Sequence, residues 1–148
     1  MENMLIKKSV DINASQEKVW SVLTTDEYTR QWFAEFGEGN FAITDWKEGS
    51  KAIFIDDTKS GLAGVVASNI PGQELIVQYN GVVTDGLEDY DSELAQSVKG
   101  YKECYWLTKI DSGSRLDIEC DMGSEFFDYM SGAWDKALVR IKALSEND

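Results

Sequence analysis

The 148-residue chain has no histidine, one proline, two cysteines and only 14 bases against 27 acids. Without histidine there is no Ser-His-Asp triad, no Cys-His pair and no imidazole metal ligand. Cys104 and Cys120 are too few for a tetrathiolate zinc site or for the disulfide framework of a small secreted domain. The net charge of −13 repels nucleic acid and anionic membrane alike, so neither is an expected partner. No stretch approaches the ~18 uninterrupted apolar residues of a membrane span, which argues against membrane insertion. The opening Met1-Glu2-Asn3-Met4-Leu5-Ile6-Lys7-Lys8 lacks the apolar run of a signal peptide, so a cytoplasmic location is expected. An enzyme built from this chain would have to run on carboxylates, tyrosines, lysines or a bound cofactor. No catalytic set is recognisable, and neither a cofactor nor a metal is expected.

What the chain does hold is material for a core. Hydrophobic residues make up 43%, and 5 tryptophans, 6 tyrosines and 6 phenylalanines are among them. That is enough for one domain spanning residues 1–148. Ile6, Val10 and Ile12 alternate with polar residues as in a half-buried strand, with Lys8 the one misfit on the apolar face. Asn13 or Ser15 caps a short helix burying Val19, Trp20, Val22 and Leu23. Thr24-x-x-Glu27 has the spacing of a capping box, which starts a second helix near Thr25. Its Tyr28, Trp32 and Phe36 fall on one stripe, with Phe33 beside it.

From Asn40 onward the pattern is of strands and turns: 41–46, 51–55, 62–70 and 75–79, with Pro71-Gly72 a strong turn. Residues 101–110 and 115–122 form a hairpin about Asp111-Ser112-Gly113-Ser114. Phe127, Met130, Trp134, Ala137, Leu138, Ile141 and Leu144 then recur at helical steps, the strongest periodic signal in the chain. Gly132 lies inside that helix, either to allow close backbone approach or because it is tolerated. The order of one strand, two short helices, about six antiparallel strands and a long helix has a consequence. One helix of about 30 Å must cover a broad curved sheet, and the space between them need not close. A cavity there is a common kind of small-molecule site.

Candidate residues for that cavity come from both walls. The second helix offers Trp32, Phe33 and Phe36, and the sheet offers Tyr79, Tyr105 and Trp106. Which of Tyr105 and Trp106 points inward depends on the hairpin register, because a one-residue slip exchanges the faces. Glu103 shares a face with Tyr105 and Leu107 in one register and would then point inward. There it could hold a polar ligand head or act as a base. Cys104 and Cys120, on paired strands, are expected as free buried thiols. Residues 82–99 gather Asp85, Glu88, Asp89, Asp91 and Glu93. A Ca²⁺ loop is the sharp reading of that run, and a solvated loop at the cavity mouth, folding down through Leu87, Tyr90 and Leu94, is the preferred one. Residues 85–128 carry 12 acids and 4 bases, which favours a neutral or cationic ligand over a fatty acid if that loop borders the mouth.

Several segments together resemble a known family. Ser9-Val10-Asp11-Ile12-Asn13-Ala14, Val19-Trp20-x-x-Leu23-Thr24 and Trp32-Phe33 resemble the opening of START-like, helix-grip domains. Trp46-Lys47-Glu48-Gly49-Ser50 is similar to the family's early hairpin, and Gly132-x-Trp134-x-x-x-Leu138-x-x-Ile141-Lys142 to its last helix. The nearest group is that related to the C-terminal domain of the activator of the large heat-shock chaperone ATPase. The resemblance implies an α+β fold, with a curved antiparallel sheet of six or seven strands around the C-terminal helix. It implies a cavity roomiest near the N-terminal half of that helix, which adds Met130 and Trp134 to the candidates. Such folds hold lipids, hormones, polyketides or aromatic ligands, and a minority are enzymes. The chaperone activators carry a further N-terminal domain with no counterpart in this sequence, so a chaperone partner is not the first expectation. The leading expectation is a non-enzymatic protein holding a small hydrophobic molecule. Its rivals are an interaction module (co-chaperone or homodimer) and a cofactor-independent enzyme.

Overall fold

The computed structural model describes residues 3–147. The chain runs β1 (Asn3–Ile12), α1 (Gln16–Thr24), α2 (Asp26–Phe33), β2 (Phe41–Ile43), β3 (Lys51–Ile55), β4 (Gly61–Ile70) and β5 (Glu74–Thr84). It continues through β6 (Leu87–Asp89), α3 (Glu93–Val98), β7 (Lys102–Ile110) and β8 (Gly113–Gly123), then a 3-10 turn at Ser124–Phe126 and α4 (Phe127–Glu146). Among the described residues the strands form one antiparallel sheet in the order β1-β8-β7-β5-β4-β3-β2, with β6 paired to β5.

Local chemistry accounts for most element boundaries. Ser15 caps α1 by accepting a hydrogen bond from the Lys18 N–H at 3.1 Å. The capping box at Thr24 does not form: its hydroxyl bonds back to the Trp20 carbonyl at 2.8 Å, and Thr25 is the residue preceding α2. Threonine inside a helix can satisfy itself this way, which removes it as a cap. The strand expected over 41–46 stops at Ile43, because Trp46 turns into the left-handed region at φ 62°. There its N–H bonds to the Thr44 hydroxyl at 3.1 Å.

Two bulges shape the sheet. Between β4 and β5 the pairing skips Asn80 on one strand and Ala67 on the other. Extra residues of this kind bend a strand and increase its twist. The bulge at Asn80 also exchanges faces along β5. Val77, opposite Glu103, and Tyr79 lie on the inner face, whereas Val83 joins Ile53, Ile55 and Ala63 in a separate apolar cluster on the outer face. Gly64 stands opposite Tyr79, and a Cβ there would lie 2.6 Å from the Gln78 carbonyl oxygen. Only glycine lets the two strands approach so closely at that point.

The long helix α4 covers the inner face. Trp134, Ala137 and Ile141 are completely buried on it, among Ile6, Ile12, Leu116 and Ile118 of the sheet and Val19, Val22 and Leu23 of α1. Lys8, the misfit of β1, bonds from this face to Asp135 of α4 at 2.6 Å. At the far end Glu146 accepts from the Asn13 N–H, and Lys142 donates to the Asp11 carbonyl. Gly132 is tolerated rather than required, since an added Cβ would meet nothing within 4 Å.

Residues 82–99, expected as an irregular loop, are structured. Thr84 and Leu87 close a hairpin about Asp85-Gly86, both at positive φ, and Ser92 caps α3, which packs on β5. The Asp-Gly pair is a strong tight-hairpin signal, because both positions need a left-handed backbone. The acids here are engaged singly: Glu88 pairs with Lys51 at 2.7 Å, and Asp89 accepts from the Asp91 and Ser92 N–H groups. Trp134 is the largest side chain of α4 and has no solvent exposure, so Trp134→Ala is expected to cost about 3–5 kcal/mol. Urea unfolding measures this directly, and a loss below about 1 kcal/mol would contradict the packing described.

Candidate functional site

A cavity of about 220 Å³ lies between α4 and the sheet. Its lining comes from α2 and the turn after it (Trp32, Phe33, Phe36), from Asn40 before β2, and from β3 (Phe54). Ser60, Gly61 and Leu62 supply the start of β4, and Tyr79, Glu103 and Tyr105 the sheet floor. Met130 of α4 is the roof. The rings interlock by their edges. Trp32 meets Phe33 at 4.6 Å between centroids and nearly perpendicular, Phe36 meets Trp134 at 4.8 Å, and Phe54 meets Tyr79 at 5.9 Å. Edge-to-face contacts are the favourable arrangement for aromatic quadrupoles. The Trp32 indole N–H donates to the buried Val22 carbonyl at 3.0 Å, which fixes α2 against α1 and sets the ring's orientation.

The β7–β8 register decides the sheet side. Leu116, Ile118 and Cys120 face inward opposite Leu107, Tyr105 and Glu103. Trp106 therefore lies on the other face, where its indole N–H donates to Glu74 at 2.9 Å. It is no part of the cavity, which corrects its candidacy. Trp134 does not line the cavity either; it stands behind it, against Trp32, Phe36 and Tyr105. The other seven candidates, Trp32, Phe33, Phe36, Tyr79, Glu103, Tyr105 and Met130, are brought together there. Tyr28 is drawn away, its hydroxyl 3.2 Å from Lys18 Nζ. No residue of 82–99 reaches the lining, so that segment is not a lid over this mouth. The cysteines are both buried and free, with Cys104 opposite Glu119 and Cys120 opposite Glu103, hence on opposite faces of the sheet.

Phe54, Leu62, Asn40, Ser60 and Gly61 were not among the sequence candidates. The run Lys51-Ala52-Ile53-Phe54-Ile55 is apolar on both faces, so alternation gives no sign of which side looks inward. For Phe54 only its pairing with Leu62 settles the question. Asn40, Ser60 and Gly61 belong to turns or their edges, and no periodicity reports on them.

Glu103 gives the site its electrostatic character. Among the described residues lining the cavity it is the one that carries charge. Its carboxylate accepts from the Tyr105 hydroxyl at 2.8 Å. Burial pushes the carboxyl above its ordinary value, while hydrogen bonds from Tyr105 and Tyr79 pull it partly back. Both phenols are in turn driven well above theirs, first by burial and then by the negative charge of Glu103. The Cys120 thiol is raised in the same way. The neighbouring faces of α2 and α4 supply Trp32, Phe33, Met130 and Trp134, none of which titrates in the accessible range. A carboxylate in this setting lacks a positive partner, and desolvation makes its ionised form costly.

The fold is helix-grip: an open antiparallel sheet around a long C-terminal helix, with two short helices after the first strand. The chain belongs to the family described as Activator of Hsp90 ATPase homolog 1-like protein, whose model matches residues 13–146. The solution structure of the Aha1 dimer from Colwellia psychrerythraea is similar to it, with a TM-score of 0.73 at 19% identity over 99% of this chain and 97% of that one. A protein of unknown function from Staphylococcus aureus has a TM-score of 0.72 at 14% identity, covering 98% and 94%. A putative uncharacterised protein from Rhizobium leguminosarum has a TM-score of 0.72 at 13% identity, covering 99% and 97%. At these identities the structural likeness shows a shared fold alone. No curated protein matches the chain significantly. No helix among the described residues is long and apolar enough to cross a membrane.

The raised Glu103 value makes stability depend on pH with a definite sign. The folded protein holds the proton more tightly than the unfolded chain, whose glutamates titrate near 4.3. The contribution of Glu103 to stability is therefore greatest below that range and is lost as pH rises through the folded-state value. Glu103→Gln, which can still accept from Tyr105, is expected to raise Tm at pH 7, with the gain shrinking as pH drops toward 4. Each kcal/mol gained appears as about 2–4 °C at this chain length. A Tm difference that is absent at pH 7, or constant across that range, would contradict the assignment.

Proposed function

We propose that the protein binds a small, ring-bearing hydrophobic molecule in the cavity between α4 and the sheet. The observation that carries this reading is a space of about 220 Å³ with six aromatic rings and one carboxylate on its walls. A dry apolar cavity of roughly 150 Å³ suffices to take up benzene, so this one suits a single ring with a short substituent. It is small for a long acyl chain or a polycyclic ligand. Trp32, Phe33, Phe36, Tyr79, Tyr105 and Met130 would supply contact area, with Glu103 meeting a polar head. Trp134 would act by holding Trp32 and Phe36 in place. The chemistry on the walls favours holding a molecule over transforming one, because burial and the Glu103 charge hold the Cys120 thiol and the two phenols well above their ordinary values, in their protonated, weakly nucleophilic forms.

The test is a thermal-shift and native mass-spectrometry screen of monocyclic aromatic compounds, run on the wild type and on Met130→Trp. The indole would occupy the cavity from the rigid wall of α4. Binders are expected to raise Tm and to add mass one-to-one, and Met130→Trp is expected to weaken them by about tenfold or more, roughly 1.4 kcal/mol. Binding that ignores this substitution would place the ligand elsewhere and overturn the reading.

A second reading, an interaction module forming a homodimer or engaging a chaperone, draws on a different surface. An open groove on the outer face is lined by Phe41, Ile43, Ile53, Ile55 and Val83, and Ile43 at the β2 edge is 54% exposed. The similar protein from Colwellia psychrerythraea is described as a dimer. If this face joins two copies, light scattering will show a dimer that Ile43→Asp converts to monomer without loss of the helical signal. A wild type that stays monomeric at high concentration counts against it.

A further inference from the structure

The charge arrangement inside the cavity says more than its size. Glu103 stands at the floor, bonded to the Tyr105 hydroxyl at 2.8 Å, and no lysine or arginine is among the described lining residues. Among the described residues, none of the ion pairs involves a residue that lines this space. The carboxylate thus has the Tyr105 hydroxyl as its donor, with Tyr79 beside it, and aromatic faces around the space in front of it. A cation entering there would gain a desolvated ion pair with Glu103 and the negative faces of the surrounding rings.

From this geometry we infer that the cavity selects a primary or secondary amine, carried on a single ring by a short chain, with its ammonium group on Glu103. The inference rests on the cavity-binding reading above and names the ligand class for that site. Three features of the molecule agree with it. Glu103 is a half-buried carboxylate with no cation beside it, and a ligand cation offsets the cost of its desolvation. The rings leave room for an aromatic group of one-ring size beside the charge. The net charge of −13 draws cations toward the molecule and repels anions from it. A carboxylate ligand, by contrast, would face Glu103 with no basic residue to offset the repulsion.

The experiment compares three probes of nearly equal shape by calorimetry: 2-phenylethylamine, 2-phenylethanol and phenylacetate. Each is titrated into the wild type and into Glu103→Gln, with folding checked by circular dichroism. The amine is expected to bind about tenfold or more tighter than the alcohol, since losing one partner of a desolvated charge pair costs several kcal/mol. Phenylacetate is expected to bind weakest. In Glu103→Gln the preference for amine over alcohol should collapse to near unity. Equal amine and alcohol affinities in the wild type, or a preference that survives Glu103→Gln, would overturn the amine assignment while leaving the cavity reading intact. Failure of all three probes to bind the wild type would overturn both.

Discussion

The packing of Trp32 against Trp134 is the joint on which the architecture turns. Trp32 comes from α2 and Trp134 from α4, and their rings meet with centroids 6.2 Å apart while both touch Tyr105 of the sheet. Two indoles are too bulky to let a helix settle onto a sheet at the spacing aliphatic side chains allow. Toward the C-terminal half of α4 the partners shrink to Ala137, Leu138 and Ile141, and the interface there is closed core. Toward the N-terminal half the wide joint holds Met130 off the floor formed by Tyr79 and Tyr105, and the cavity is what remains. The buried bond from the Trp32 indole to Val22 ties this spacing to α1. A shift in α2 would therefore be felt at the cavity wall.

The polar groups follow from the same constraint. β7 must present alternate residues inward, and the register that buries Leu107 and Tyr105 necessarily turns Glu103 inward as well. The fold accommodates that carboxylate with two phenols and leaves it without a cation. The absence of histidine fits this arrangement, since no imidazole is available to relay a proton from Glu103. The outer face carries a different chemistry: apolar residues of β2, β3 and β5 beside the Lys51–Glu88 pair, with Tyr90 packed over Gly81. The two surfaces are separated by the thickness of the sheet, so ligand binding and self-association are open to independent variation.

Much of the fold was legible in the residues because several elements have strong periods. The α4 stripe from Phe127 to Leu144 and the alternation from Leu116 to Cys120 each point one way, and the cavity between helix and sheet follows from element order. What escaped was decided by pairing. Whether Tyr105 or Trp106 faces inward depends on register, and the face of Phe54 depends on which neighbour it pairs with, because its strand is apolar on both sides. The bulge at Asn80 is invisible in composition, yet it sends Val83 to the opposite face from Tyr79. The acidic run at 82–99 misled for a different reason. Charge density there suggested a solvated loop at the mouth, whereas Asp85-Gly86 is a hairpin turn and Ser92 a helix cap. Both signals sit in plain view, but the surrounding acids outweighed them.

Family membership sets the frame without naming a ligand, so the central claim is the location of binding. Its most direct test is side-chain NMR with a ring-bearing amine as probe, observing tryptophan indole and methionine methyl signals. Shifts are expected at the Trp32 indole and the Met130 methyl, with the Trp106 indole on the outer face unmoved. Shifts confined to Trp106 and the outer-face residues around Ile43 and Ile55, or none at saturating probe, would contradict it.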